Sequence, residues 1–470
     1  MHNSDTKINT SRKGIILRRI GVLAAAAAVL LGMEFVARIC FDSVHFADYY
    51  KYDIKRIEAE DNPRVGMVIS GASQVYHACD TNILAEKLGF DEVIAASSAG
   101  QVSDGSYFLV RDILDRFDPE YVVIGMSWDR FFPKKLGNLH GGRLLTADHL
   151  PNYLDQVEYF IKNAPVGQWF NLSYLYRFGG KVQNLEQLKT NYISKKQVAS
   201  GEWNLDTEAP SYYGKNGYII CKSVGVDGQM MAEQLTFAED RVSQHELEYM
   251  TRIADLCRKR GKKLIWMTIP STLAEIYSID NYQFAIDYAT KFLEGTGYPY
   301  LNFNMLKDRE TLFPDRVFSD HIHLGEEGSH TFSMLFADII KRMEDGEDVS
   351  DMFYASEEEM KADVHRIVGS NLQVVRMNDG AVQAEITSLQ NNDIVPQYRL
   401  EVYRGDTWVT ISDWQENTSV RFSGEELAIG EQVRLLVRQK GKDEPEASRT
   451  AFVVDQAAAG PVEEVYDASE

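Results

Sequence analysis

Cysteine is scarce in this chain of 470 residues. Its four cysteines, Cys40, Cys79, Cys221 and Cys257, are too few and too widely spaced for a disulfide framework or a zinc site. Positive charge is also in deficit. Against 70 Asp and Glu stand 49 Lys and Arg, a net charge of −21. Phosphate backbones want basic patches, so this balance weighs against nucleic acid as a partner, and it discourages docking on anionic lipid surfaces. There is no P-loop, no dinucleotide-binding glycine motif and no metal-ligand spacing, so neither a cofactor nor a metal is expected. What is present is a globular composition, 44% hydrophobic and 25% charged, in a length that suits two or three domains.

One long apolar run stands at the N-terminus. Arg12, Lys13, Arg18 and Arg19 precede "IGVLAAAAAVLLGM", an uncharged core of 14 residues from Ile20 to Met33, and Glu34 then interrupts. This core is shorter than the ~20 residues that span a bilayer comfortably. Continuing through Phe35 and Val36, with Arg38 snorkelling, lengthens it, and no small-x-small cleavage site follows. Residues 1–45 therefore read as a basic cytoplasmic flank and an uncleaved signal anchor. The expected location is the cell membrane, crossed once, with the bulk of the chain outside the cytoplasm.

After a polar linker over 42–63, short apolar runs alternate with helical patterns. The strands are expected at 65–71, 92–98, 121–126, 264–270 and 298–304. Helices are expected at 81–90, with Asp80 as a cap, at 103–117, capped by Ser103, and at 243–263, 282–297 and 329–343. This alternation predicts an α/β domain over 64–345 built on a parallel sheet. Residues 131–240 break the rhythm and read as a large insertion, partly helical and rich in aromatics. An acidic linker covers 346–370. Seven short period-two segments over 371–455 then predict an antiparallel β-sandwich. The tail 456–470 reads as disordered.

Sites in parallel sheets form beyond the carboxyl ends of the strands. The first strand ends in "SGASQ", which puts Ser73 on a strand-to-helix turn, a place for a nucleophile or for a helix cap. "VFSDHIHLGEEG", residues 317–328, puts Asp320 and His323 just before the last helix. There a His is placed to act as a base, and an Asp to orient it.

A serine in Gly71-Ala72-Ser73 after the first strand, with Asp320-x-x-His323-Leu324 and Gly328 before the last helix, resembles the SGNH hydrolases, the GDSL superfamily, across about 65–345. The resemblance implies a flavodoxin-like sheet, Ser73 as nucleophile, His323 rather than His321 as base, and Asp320 as its orienting partner. It also implies an oxyanion hole formed by the N–H groups of Ser73 and Gly100, the latter in "SSAGQ". The family's third block usually carries an Asn. In the family that Asn completes the oxyanion hole; here "GMSWDRF" has none, Ser127 or Trp128 stands in its region, and Ser127 is the third oxyanion candidate that the resemblance implies. The N-terminal anchor and the insertion after the third strand are similar to a divergent branch that includes the alginate O-acetylation and teichoic acid D-alanine transfer proteins. That likeness implies acyl transfer or ester hydrolysis on a cell-surface or exported polysaccharide. Its implied partners are a glycan or acyl ester substrate and a membrane-bound O-acyltransferase.

Trp128, Asp129, Arg130 and Arg143 are candidate substrate contacts, although Asp129, Arg130 and Arg143 also suit solvated loop positions. His77, one turn beyond Ser73, reads as a helix-surface residue. Trp203, Tyr212, Tyr213 and Tyr218 either stack on sugar rings or form the insertion's own core. The missing Asn favours a different class of protein, a non-catalytic glycan-binding or assembly protein with a vestigial triad.

Overall fold

Helix α1 (Asp5–Cys40) carries the chain unbroken through Glu34 in this computed structural model, which describes residues 5–131, 139–181, 184–222 and 236–456. Its stretch Gly14–Cys40, of 27 residues and mean hydropathy 2.2, is the single helix among the described residues long and apolar enough to cross a membrane. Only 6% of its most apolar window is buried against the rest of the chain, which suits an anchor or a signal sequence. The expected polar linker over 42–63 is mostly helix α2 (Phe46–Glu58). Tyr50, Ile54 and Ile57 recur at helical spacing and are buried in the main core, a stripe that the surrounding charged residues hide in the composition.

The α/β domain follows in the expected order. Strand β1 (Val65–Ser70) leads into α3 (Ser73–Ala78) and α4 (Thr81–Leu88), and β2 (Glu92–Ala95) into α5 (Ser103–Phe117) and β3 (Tyr121–Met126). The insertion contributes α6 (Leu139–His149), α7 (Tyr153–Asn163), α8 (Tyr174–Phe178), α9 (Leu185–Ser200) and a hairpin of β4 (Ser211–Tyr213) and β5 (Ile219–Cys221). The sheet resumes with α10 (Gln244–Arg260), β6 (Lys263–Thr268), α11 (Leu273–Tyr277), α12 (Tyr282–Glu294), β7 (Tyr300–Asn302), α13 (Arg309–Leu312) and α14 (Glu326–Glu344). Five strands pair in the order β2-β1-β3-β6-β7, all parallel, which is the flavodoxin-like order when only the strands of this sheet are numbered.

Side chains on a strand point alternately to its two faces, so a strand covered on both sides is apolar throughout. Val68, Val122 and Trp266 pack toward α2, α5, α10 and α12 on one face, and Ile69, Val123 and Met267 toward α3, α4 and α14 on the other. Asp80 caps α4, accepting from the N–H groups of Asn82 (2.9 Å) and Ile83 (3.3 Å). Ser103 does not cap α5. It is the first helical residue, and its N–H donates to Glu246 of α10 at 3.0 Å, so a carboxylate from a distant helix does the work of a local cap.

The acidic linker over 346–370 is stitched to the α/β domain rather than loose. It contains α15 (Glu357–Ala362), where Glu357 and Gln283 each accept from the other's backbone N–H, at 2.8 and 2.6 Å. Arg366 pairs with Glu310 (2.6 Å) and Asp315 (3.2 Å). Eight strands follow: β8 (Gly369–Arg376), β9 (Val382–Leu389), β10 (Pro396–Arg404), β11 (Thr407–Gln415), β12 (Ser419–Phe422), β13 (Gln432–Gln439), β14 (Ala447–Phe452) and β15 (Val454–Asp455). They form two four-stranded sheets, β11-β10-β13-β14 and β12-β9-β8-β15, over one shared core that includes Leu372, Ile386, Leu400 and Leu435. The seventh expected strand divides at buried Val453, so the chain leaves one sheet and joins the other. Of the expected disordered tail over 456–470, Gln456 is ordered, its N–H donating to the Arg376 carbonyl at 3.0 Å, and the residues beyond it lie outside the described residues.

Candidate active site

Ser73 opens α3 immediately beyond β1, where the first backbone N–H groups of a helix have no intrahelical partner. The approach is tight. A Cβ on Gly71 would lie 2.3 Å from the carbonyl oxygen of Gly125 and 2.4 Å from Val75, and one on Gly125 would lie 2.5 Å from Val75. Two glycines thus let β1 and β3 close on the turn that presents the serine.

Asp320 and His323 reach the same edge from the loop before α14. Buried Leu324 anchors that loop, and a bridge between Phe318 and Leu324 closes it, with the Ser319 N–H donating to the His323 carbonyl at 2.9 Å. The Thr272 N–H and hydroxyl both donate to the His321 carbonyl at 3.0 Å. Gly328 permits the return into α14, since a Cβ there would lie 2.8 Å from the Val317 carbonyl oxygen.

The three side chains meet. His323 Nε2 is 2.7 Å from Ser73 Oγ, and its Nδ1 is 2.6 Å from Asp320 Oδ2. A carboxylate only accepts, so Nδ1 carries the hydrogen and Nε2 is left to accept from the serine hydroxyl. Asp320 Oδ1 accepts from the N–H groups of Ile322 (2.8 Å) and His323 (2.7 Å). Burial pushes the Asp320 carboxyl up. The hydrogen bond and charge of His323, with those two N–H groups, outweigh burial and hold it well below the usual carboxylate range. His321 instead faces buried Glu275 at 4.0 Å.

Gly100 stands in the loop leaving β2, at the same carboxyl edge of the sheet, with φ of +62°. That conformation suits glycine, and α6 backs closely onto it: a Cβ on Gly142 would lie 2.2 Å from the Gly100 carbonyl oxygen. Beside it, buried Gln101 ties the loop to the sheet. Its amide nitrogen donates to Ser70 Oγ (2.8 Å) and Ser106 Oγ (2.9 Å), and its amide oxygen accepts from the Ser98 N–H (2.8 Å). Ser127 directly follows β3 at this edge and is half-buried.

The substrate-contact candidates divide. Trp128 and Asp129 begin the 3-10 turn Trp128–Phe131, and their side chains lie outside those described. Arg130 donates to the Gln101 carbonyl, next to the Gly100 loop. Arg143 pairs with fully buried Asp104 at 3.2 Å, and Asp104 also takes His245 (2.9 Å) and the Tyr159 hydroxyl (3.0 Å), so this guanidinium serves an internal polar cluster. Trp203 packs between Tyr49 and Tyr52, with ring centroids 5.3 and 4.7 Å away. Tyr213 stacks on Tyr49 and donates to buried Asp53 at 2.7 Å, while buried Tyr218 accepts from Ser329 at 2.9 Å. These aromatics hold the insertion to the rest of the fold.

His77 is not the surface residue expected from its place on a short helix. The β4–β5 hairpin folds over it. Its Nδ1 donates to the Ile219 carbonyl at 3.0 Å, and its ring meets that of His323 edge-on at 5.2 Å. Burial, with the neighbouring His323, pushes its pKa down to about 3, so it is uncharged at neutral pH. The hairpin is seated by Asn216, whose carbonyl accepts from the Ala95 N–H at 2.8 Å, and by Gly217, where a Cβ would lie 2.0 Å from the Ala95 carbonyl oxygen. No local sequence signal joins His77 to a strand 142 residues away.

A hydrogen-bonded Ser-His-Asp chain at the carboxyl edge of a parallel sheet defines a site competent for nucleophilic acyl chemistry. No protein-family model and no curated protein matches the chain.

Proposed function

We propose that this protein is a membrane-anchored, SGNH-like serine enzyme that transfers or hydrolyses acyl groups on a cell-surface or exported polysaccharide. The observation that carries this reading is the continuous Ser73–His323–Asp320 chain, with contacts of 2.7 and 2.6 Å. Ser73 Oγ attacks the acyl carbonyl and its proton passes to His323 Nε2. Asp320 holds the ring in the required tautomer and stabilises the imidazolium. The N–H groups of Ser73 and Gly100 take the oxyanion. Collapse expels the leaving group as an alcohol, with the proton returned by His323. The acyl-enzyme then passes to a sugar hydroxyl, or to water, deprotonated by the same histidine.

The apolar helix α1 fits an anchor whose basic flank stays in the cytoplasm, which puts the site outside, where such glycans are found. Transfer is favoured over hydrolysis by the likeness to the O-acetylation branch, and a membrane-bound O-acyltransferase is the partner that would supply acyl groups. The test is turnover of an acetyl ester with and without an acceptor oligosaccharide. Acyl-oligosaccharide formed by wild type and lost in Ser73→Ala supports transfer, whereas release of acetate alone makes the protein an esterase. A second reading, a glycan-binding or assembly protein with a vestigial triad, is favoured by the missing Asn after β3. It requires the protein's cellular function to survive Ser73→Ala.

A further inference from the structure

Where α1 leaves its apolar span, the insertion grips it. Glu34 accepts from the Ser173 hydroxyl (2.7 Å) and from the backbone N–H groups of Tyr174 (2.7 Å) and Leu175 (3.2 Å), so its carboxylate caps α8. One turn on, the Arg38 guanidinium lies over the rings of Tyr153 (4.6 Å) and Tyr174 (4.9 Å). A hydrocarbon core takes about 20 helical residues. The uncharged core Ile20–Met33 falls short of that length and is bounded by Arg19 on one side and Glu34 on the other, so Glu34, the first charged residue beyond it, marks the outer boundary of the span. The insertion is then held at membrane level.

Two features of the insertion fit that position. Leu154, Val166, Phe170, Tyr176 and Leu185, on the segments around α7, α8 and α9, are between 66% and 84% exposed. Phe170 and Tyr176 adjoin, with centroids 6.0 Å apart, and lie within a few residues of the cap that Glu34 forms. Apolar and aromatic side chains around an emerging span suit the headgroup region. Tyr174 of α8, with residues of α1, α2 and α9, also lines a half-open cavity of about 360 Å³ that carries Arg38, Lys51, Lys55, Lys195 and Lys196, with Asp48 as the one carboxylate. Five cations thus face one anion in a chain whose net charge is −21. Asp48 is spent on Lys195 at 4.0 Å, and nearby Asp148 is taken by Arg177 at 2.9 Å. Burial holds the Lys51 ammonium below its usual value. Lys195 and Arg38 add to this, and Asp48 and Asp148 oppose it. A bound anion would compensate the burial of that ammonium.

We propose that this cavity binds the phosphate headgroup of an anionic membrane lipid while the surrounding apolar side chains rest in the bilayer surface. The net acidity that discourages anionic surfaces is a property of the whole chain, and it is reversed locally at this cavity. The inference rests on the anchor reading of α1.

The test uses the full-length protein in nanodiscs of phosphatidylcholine with phosphatidylglycerol, with retained lipids read by native mass spectrometry. Wild type is expected to retain phosphatidylglycerol over phosphatidylcholine. A Lys51→Gln/Lys196→Gln variant should lose that preference by about fivefold per lysine, about twenty-fivefold together, with unchanged thermal unfolding. Lys55→Gln alone should lose about fivefold, which keeps the test open if the double variant unfolds. Equal retention of the two lipids, or a preference indifferent to the lysines, overturns the proposal. Inorganic phosphate separates the sources: if millimolar phosphate binds as well without a bilayer and displaces the lipid, the site is for free phosphate and the lipid assignment falls. Alkaline extraction of wild-type membranes tests the anchor by itself. Release of the protein removes the anchor reading, whereas retention with no lysine effect removes only the lipid site.

Discussion

Asp320 does two things with one carboxylate. One oxygen orients the His323 ring and the other is tied to the backbone of the same loop, so the side chain cannot turn away. Asp320→Asn retains the shape but presents an amide that can donate to Nδ1, which favours the wrong tautomer. Acylation of Ser73 is expected to fall by about 10³-fold or more, measured as the rate of probe labelling with fold confirmed by circular dichroism. His77 and His149 supply a pH prediction. Burial drives both pKa values down from 6.5, to about 3 and about 4. Both are neutral when folded and take up a proton more readily when unfolded. The unfolded state therefore binds more protons below pH 6.5, and stability should fall as pH drops from 6.5 toward 4, with no change from these groups above that window. Urea unfolding midpoints across this range should show the loss, and His149→Phe should flatten it. The triad was legible in the sequence because each member sits in a short motif whose place at a strand end follows from the βα rhythm. His77 was not, because its environment comes from the hairpin and not from its neighbours in sequence.

At the scale of elements, the strands of the parallel sheet were readable as short apolar runs, although β2 and β7 are shorter than expected. They end where the chain turns away: the Ala96 N–H still bonds the Ile69 carbonyl, but the residues beyond curl into the Gly100 loop. Helix α2 was missed because its apolar stripe is narrow and set among charges, and the cap of α5 because Glu246 reaches it from another helix. The β4–β5 hairpin leaves no mark in the sequence, since two three-residue strands carry too little pattern to detect. Yet the hairpin covers His77. Gly217 makes its seating possible at φ of +89°, with no room for a side chain. Gly217→Ala is expected to lift the hairpin from β2 and expose His77. Hydrogen exchange should rise at Ile219–Cys221 and probe labelling should weaken by about tenfold, of the order of 1–3 kcal/mol for an overpacked contact. Unchanged protection would mean that the hairpin is held elsewhere.

Along the whole molecule the site lies between an N-terminal helix long and apolar enough to cross a membrane and a C-terminal pair of β-sheets. An apolar run and period-two patterning mark these two ends in the sequence, and the joins leave no such mark. The sequence shows only an acidic linker here, yet the Tyr277 hydroxyl donates to Asn391 (2.9 Å) and the Asn391 amide donates to the Val364 carbonyl (2.6 Å), tying the sandwich to the α/β domain. In the same way the net charge concealed a basic cavity, because a sum over the chain says nothing about which cations a fold gathers. The central claim remains the activated serine, and one measurement bears on it most directly: the intact mass of the full-length protein after exposure to a fluorophosphonate. One adduct is expected on wild type, located at Ser73 by peptide mapping and absent from Ser73→Ala and His323→Ala. A folded wild-type protein that takes no adduct, or an adduct that persists in His323→Ala at the wild-type rate, would contradict the account.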